Sequence, residues 1–217
     1  MKISELSERS GVSVASIKYY VREGLLPAGV TTAANQANYD DHHIHRLRLI
    51  RALVHVGNLS IASVKAVLDT VDSGTTSLHD AFGAVMHSLD EPAPEEMEPD
   101  LAQVLAEVRA WIRKRKWAVS PDAPAIHLLA EAMLILRQFD FGLDLADLDE
   151  IADVSEQSAE FEVGFAREKV DRTAAVETML IGTVVYGRAL VEIRRLALEA
   201  VSARLDTPGR ARPKGKQ

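Results

Sequence analysis

The fold of this chain is constrained most by residues 11–26, GVSVASIKYYVREGLL. Gly11 permits a tight turn, Ser13 is placed to cap the next helix, and Gly24-Leu25-Leu26-Pro27 ends that helix after about three turns. Val12, Val14, Ile17 and Val21 supply an apolar side that holds the helix on a core. The outward face carries Ser13, Ser16, Lys18, Tyr19, Tyr20 and Arg22, the hydroxyls, phenols and cations that reach phosphate oxygens. Residues 3–10 read as a preceding short helix with Ile3 and Leu6 inward and Ser4 as its N-cap. A helix, a Gly turn and a second helix is helix-turn-helix spacing, although a plain pair of core helices has the same spacing.

Composition sets the limits around that stretch. With 217 residues and 47% hydrophobic content, the chain can hold one large domain or two small ones and bury a core. A net charge of −7 argues against coating nucleic acid with the whole surface. The charge is uneven: residues 1–72 carry 8 Lys/Arg against 7 Asp/Glu, and the remainder 17 against 25, so a DNA footprint belongs in the first third. No apolar run approaches the roughly 20 residues that span a bilayer, and MKISELSE lacks an apolar signal core, so a soluble cytoplasmic protein without a membrane partner is expected. The absence of cysteine excludes disulfides, thiolate metal sites and cysteine nucleophiles. No Gly-rich phosphate loop, Ser-His-Asp set or carboxylate-metal spacing is present, so neither catalysis nor a cofactor is expected.

Residues 28–38, AGVTTAANQAN, are too rich in Gly, Thr and Asn for a helix and read as a β-hairpin or loop. Tyr39-Asp40-Asp41 opens a third helix with Ile44, Leu47, Ile50, Leu53 and Val54 on one stripe and Arg46, Arg48 and Arg51 off it; Gly57 closes it. Ser60 caps a fourth, with Ile61, Val64, Val67 and Leu68 inward. His42, His43 and His45 are close enough to suggest a metal, but no further ligand at helical spacing completes a site, and none is expected. Phosphate contact by His42 or His43 is the alternative role.

In the order and identity of these elements the first 70 or so residues resemble the MerR family of transcription regulators. The resemblance rests on Ile3-Ser4-Glu5-Leu6, Gly11-Val12-Ser13-Val14, Ile17-Lys18-Tyr19-Tyr20, Arg22-Glu23-Gly24-Leu25-Leu26, Tyr39-Asp40, Leu47-Arg48-Leu49-Ile50-Arg51 and residues 57–68. It implies a winged helix-turn-helix, a homodimer that places one recognition helix in each of two major-groove half-sites of promoter DNA, and wings on the flanking backbone. It also implies an indirect effect on RNA polymerase through distortion of the promoter spacer. The implied DNA-binding residues are Ser13, Ser16, Lys18, Tyr19, Tyr20, Arg22, Thr31, Thr32, Gln36, Asn38 and Tyr39. Family members usually carry Arg at the positions of Ala15 and Lys18, and Gly-Tyr-Arg where this chain has Asn35-Gln36-Ala37-Asn38, so a weaker salt dependence is expected here.

Beyond residue 72 the chain changes character. A break at residues 73–76 precedes a helix over residues 77–89, and residues 90–100, DEPAPEEMEPD, read as an acidic, Pro-rich linker that cuts short the usual family dimerisation helix. Residues 101–206 read as one all-helical body, and residues 207–217 as a disordered basic tail. The expected fold is therefore mainly α: a winged helix-turn-helix, then an all-helical C-terminal domain. That domain resembles TetR-type ligand and dimerisation domains in helix number and order. Trp111, Trp117, Met133, Phe139, Phe141, Phe161, Phe165, Met179 and Tyr186 either line a cavity for a small apolar effector, with His127, Glu131 or Arg137 as polar handles, or form a solid core. The apolar stripe over residues 172–205 exceeds what one small domain needs and would pair with a second copy. An architectural or excisionase-like DNA protein without an effector is the alternative function.

Overall fold

The computed structural model describes residues 1–33, 36–73, 77–90 and 98–206. The wing residue Asn35, the break at residues 74–76, the linker at residues 91–97 and the tail at residues 207–217 lie outside the described residues, as do the side chains of Thr32 and Gln36.

Helix α1, Ile3–Ser10, stops at Gly11, whose φ of 67° is left-handed and whose N–H donates to the Ser7 carbonyl. Only glycine suits that place, since a Cβ there would also stand 2.9 Å from Arg51 Nη1. Helix α2, Val14–Arg22, begins at Ser13, whose Oγ accepts the Ser16 N–H. Strands β1, Val30–Ala33, and β2, Gln36–Asn38, pair antiparallel as the wing hairpin. Helix α3, Asp41–Arg51, starts on a capping box of Asp40 and His43 and continues into a π-turn, Ala52–Val56, closed by the Gly57 N–H on the Ala52 carbonyl at 3.0 Å. Helices α4, Ile61–Asp72, and α5, Leu78–Ser88, are capped by Ser60 and Ser77. Helices α6, Pro99–Lys114, and α7, Pro124–Gln138, each open on a proline, which needs no N–H partner there. Helix α8 spans Asp149–Arg167. Helix α9, Arg172–Ile181, a second π-turn, Gly182–Tyr186, and α10, Gly187–Asp206, form one continuous helix of 35 residues.

The buried side chains fall into two clusters that do not follow chain order. The first gathers Leu6, Ile17, Leu25, Leu47, Ile50, Leu53, Val64, Leu68, Phe82 and Val85 with Ala166, Ala175, Val176, Met179 and Leu180 from far along the chain. The second holds Leu101, Val104, Val108, Trp111, Ile126, Ala130, Met133, Leu145 and Ala152. Helix α9 is thus seated on α4 and α5, not on α6 and α7. Helix α8 bridges the two clusters, leaving the second after Ala152 and reaching the first at Ala166. By length and composition alone the 35-residue helix could cross a bilayer, contrary to the expectation that no stretch approaches that limit; its first half is instead packed into the N-terminal core through Val176, Met179 and Leu180. Helix α10 buries none of its residues.

Candidate nucleic-acid interface

Helix α2 presents its polar residues from a short platform fixed by Ile17 below and Gly11 at its entrance. Ser13 and Ser16 form one hydroxyl pair at the helix N-terminus, with the oxygens 2.9 Å apart and the Ser16 N–H donated to Ser13 Oγ at 3.1 Å. Both hydroxyls keep acceptor capacity beside backbone N–H groups, the arrangement that receives a phosphate. Lys18 is exposed and forms no ion pair among the described residues. Arg22 lies over the Tyr19 ring, 5.1 Å from its centroid, while its Nε donates to Glu23 Oε1 at 3.2 Å. The stack holds the guanidinium along the helix without filling its other donors.

Tyr20 corrects the expected outward face. It is only 8% exposed and belongs to the N-terminal core, because it follows Ile17 by three positions and so shares Ile17's side of the helix. Its neighbour Tyr19 stays half-buried at the surface, the two rings 5.8 Å apart.

The wing is pinned from an end that no motif announced. The Met1 ammonium donates to the Tyr39 carbonyl at 2.6 Å, and the Tyr39 N–H returns a bond to the Met1 carbonyl at 2.8 Å. Thr31 on β1 and Asn38 on β2 remain exposed. The Tyr39 ring meets His43 edge-on at 5.1 Å.

The three histidines diverge. His43 Nδ1 lies 2.6 Å from Asp40 Oδ1, and the hydrogen bond from the His43 side chain holds the Asp40 carboxyl below its ordinary range. His45 Nε2 lies 2.8 Å from Glu177 Oε2 on α9, and His42 is exposed. Among the described residues, no three or more His, Cys, Asp or Glu side chains gather as a metal-binding group.

The residues expected around one effector cavity are divided between places. Trp111 and Trp117 meet edge to face at 5.4 Å, and the Arg115 guanidinium sits 5.5 and 4.9 Å from their centroids while pairing with Asp149 and Asp153. The Trp111 indole N–H donates to Asp149 Oδ1 at 2.9 Å. These tryptophans fasten α6 to the start of α8. His127 is buried with Nδ1 3.5 Å from Glu131 Oε1, Met133 is in the second core, and Arg137 pairs with Glu107. Phe139 and Phe141 are 79% and 64% exposed. Phe161, Phe165, Met179 and Tyr186 are brought together elsewhere, at a cleft between α8 and the long C-terminal helix whose wall also includes Glu162. The separation results from α8, which carries its two phenylalanines away from α6 and α7 and onto α9. Glu162 went unnoticed in the sequence because one more acid in an acidic helix gives no periodic signal.

A short helix, a Gly turn, a capped second helix and a two-stranded wing define a winged helix-turn-helix DNA-binding domain. Residues 1–71 match the family described as MerR HTH family regulatory protein. The HTH-type transcriptional regulator HmrR of Sinorhizobium medicae (strain WSM419) is 28% identical over 138 residues, which is 60% of this chain and 87% of that protein. A Rhizobium meliloti (strain 1021) protein named heavy metal-dependent transcription regulator 2 is 35% identical over 68 residues, 31% of this chain and 46% of that protein. The crystal structure of a candidate transcriptional regulator, SCO5550, from Streptomyces coelicolor A3(2) superposes with a TM-score of 0.70 at 32% identity, covering 98% of this chain and all of that one. Residues 1–71 are thus a MerR-family helix-turn-helix domain, and the chain is a DNA-binding transcriptional regulator.

Proposed function

We propose that the protein binds a pseudo-palindromic promoter site as a cytoplasmic homodimer and alters RNA polymerase access in response to a small apolar effector. The open face of α2 carries this reading: Ser13, Ser16, Lys18 and Arg22 stand on a rigid platform with donors left for phosphate. Each α2 enters one major-groove half-site, with Thr31, Thr32, Gln36, Asn38 and Tyr39 of the wing on the flanking backbone. Helix α10 supports the second copy, since Val191, Leu198 and Leu205 recur every seven residues with Val201 between them, and all are 41% exposed or more. The heavy metal in one relative's name has no thiolate to bind in this cysteine-free chain, so the effector is assigned to the carbon-lined cleft beside Phe161 and Phe165. Footprinting of the DNA upstream of the gene, with light scattering of the free protein, tests the proposal. One protected pseudo-palindrome and a dimeric mass are expected; a monomer, or protection of many unrelated sites, overturns it.

A further inference from the structure

The cleft between α8 and the long C-terminal helix has a volume of about 540 Å³. Its walls are largely carbon. Phe161 and Phe165 stack with centroids 6.4 Å apart and planes 14° apart, facing Met179, Val185 and Tyr186. One charged side chain is in the lining, Glu162. Its Oε1 accepts the Ser158 hydroxyl at 3.2 Å, and its Oε2 stands 3.5 Å from where a Cβ on Gly182 would lie, which puts the carboxylate against the cleft wall. Three of the six acids of α8, Asp149, Asp153 and Glu156, pair with Arg115 toward its other end, so Glu162 sets the charge at this wall.

These features select the occupant by charge. A neutral hydrocarbon covering the cleft strips water from Glu162 without compensating it, and an anion meets direct repulsion. An apolar molecule with one positive charge keeps the carboxylate paired and also gains from the electron-rich ring faces. Phe165 already draws a cation to itself, with Lys169 Nζ 3.6 Å from its centroid.

The same wall touches the DNA-binding domain. Gly182, Val185 and Tyr186 belong to the second π-turn, where the Gly187 N–H reaches back to the Gly182 carbonyl. From that turn Val184 packs against the N-terminal core, so close to Gly57 that a Cβ on Gly57 would lie 2.3 Å from Val184 Cγ1. Gly57 in turn closes the π-turn at the end of α3. A π-turn holds one residue more than an α-helical turn, and returning it to α-helix rotates the downstream helix by about 100°. A turn of this kind can take either of two discrete arrangements, π or α, and a ligand that fits one better would shift the balance between them.

We propose that this cleft binds an apolar monocation and that its occupancy reaches the DNA-binding domain through the contact of Val184 with Gly57. The proposal rests on the regulator reading above, with the effector given a chemical class and a route. The cysteine-free sequence supplies the test: Ala189, in the cleft lining, is changed to Cys (Ala189→Cys) in the full chain and labelled with methanethiosulfonates of similar size bearing a trimethylammonium, a neutral tert-butyl or a sulfonate group. The trimethylammonium label is expected to give a Tm several degrees above the sulfonate label and above the neutral one. Glu162→Gln should close these gaps. Affinity for the footprinted DNA should differ about tenfold or more between the cationic and anionic labels, a coupling of ordinary allosteric size, and Val184→Ala should erase that difference while keeping the Tm gap; Val184→Thr serves if the alanine variant unfolds. Equal Tm for all labels, a gap indifferent to Glu162→Gln, or unchanged DNA affinity overturns the proposal. So does an introduced thiol in the Ala189→Cys variant that reacts only after dilution to monomer, which means that a second copy fills the cleft. Failure of the unlabelled protein to protect any DNA overturns the regulator reading instead, and the Tm comparison still decides the cleft.

Discussion

Arg46 on α3 and Asp72 at the end of α4 form a two-pronged ion pair, with Nη1 and Nη2 donating to Oδ1 and Oδ2 at 3.2 and 2.7 Å. Arg46 Nε simultaneously holds the Leu25 carbonyl at 3.0 Å, so one planar side chain ties the exit of α2 to two later helices. Lysine cannot reproduce that fork. Because Asp72 is 56% exposed, the ion pair itself contributes little, and the bond to Leu25 dominates. Arg46→Lys is expected to cost about 1 kcal/mol and Arg46→Ala about 1–2 kcal/mol in urea unfolding. Asp72→Asn should cost less than either; an equal or larger loss would place the stabilisation in the ion pair.

DNA affinity should fall with salt less steeply than in a family member with arginines at the positions of Ala15 and Lys18. Lys18→Ala should lower the slope of log affinity against log salt by about 1, and Ala15→Arg should raise it by a similar amount. Fluorescence anisotropy over a range of NaCl concentrations reads both. Tyr20→Phe should leave the slope alone, because Tyr20 is in the core.

Acid should loosen the join between α6 and α8. The Trp111 indole N–H, and after it Lys114 and Arg115, hold the Asp149 carboxyl below its ordinary value of 3.8. A depressed carboxylate contributes stability that is complete above that ordinary value and is lost as pH falls toward the folded-state value. Thermal melts of wild type and Asp149→Asn should therefore differ most near neutrality and converge as the pH falls through the folded-state value. A difference that widens on acidification would contradict the assignment.

Charges introduced on α10 should separate the proposed dimer without unfolding the domain. Leu198 and Leu205 are each 54% exposed in the single chain, so Leu198→Glu and Leu205→Glu disturb no internal packing. Each is expected to weaken self-association by about 2 kcal/mol or more and leave the helical circular dichroism signal nearly unchanged. Sedimentation equilibrium distinguishes this from a dimer built on α5, whose Ala81, Phe82 and Val85 are already buried against the chain's own helices.

What could be read from sequence was local. Gly11, the caps at Ser13 and Ser60, the Gly24-Leu25-Leu26-Pro27 exit and the start at Asp40 are short-range signals, and each marks an element boundary in the structure; Ser4, read as a cap, instead lies inside α1, whose N-cap is Lys2. The unused apolar stripe of α10 was visible for the same reason. Tyr20 misled because a phenol suits either a phosphate or a core, and only its three-residue offset from Ile17 decides. The effector residues misled more: aromatic content is a property of the sequence, whereas the separation of Trp111, in the second core, from Phe161, exposed at the cleft, depends on where α8 crosses between the two cores. The seating of α9 on α4 and α5 joins residues a hundred positions apart, and no periodicity encodes the choice of partner.

That seating has a consequence for synthesis. The core beneath the DNA-binding helices is completed by Ala166, Ala175, Val176, Met179 and Leu180, near the far end of the chain. A ribosome releases the first 90 residues long before those partners emerge, so the nascent DNA-binding unit has its reading helix but lacks one wall of its core. Truncated and arrested chains share that deficit. Full competence to hold DNA is therefore expected only once residues 166–180 have been made.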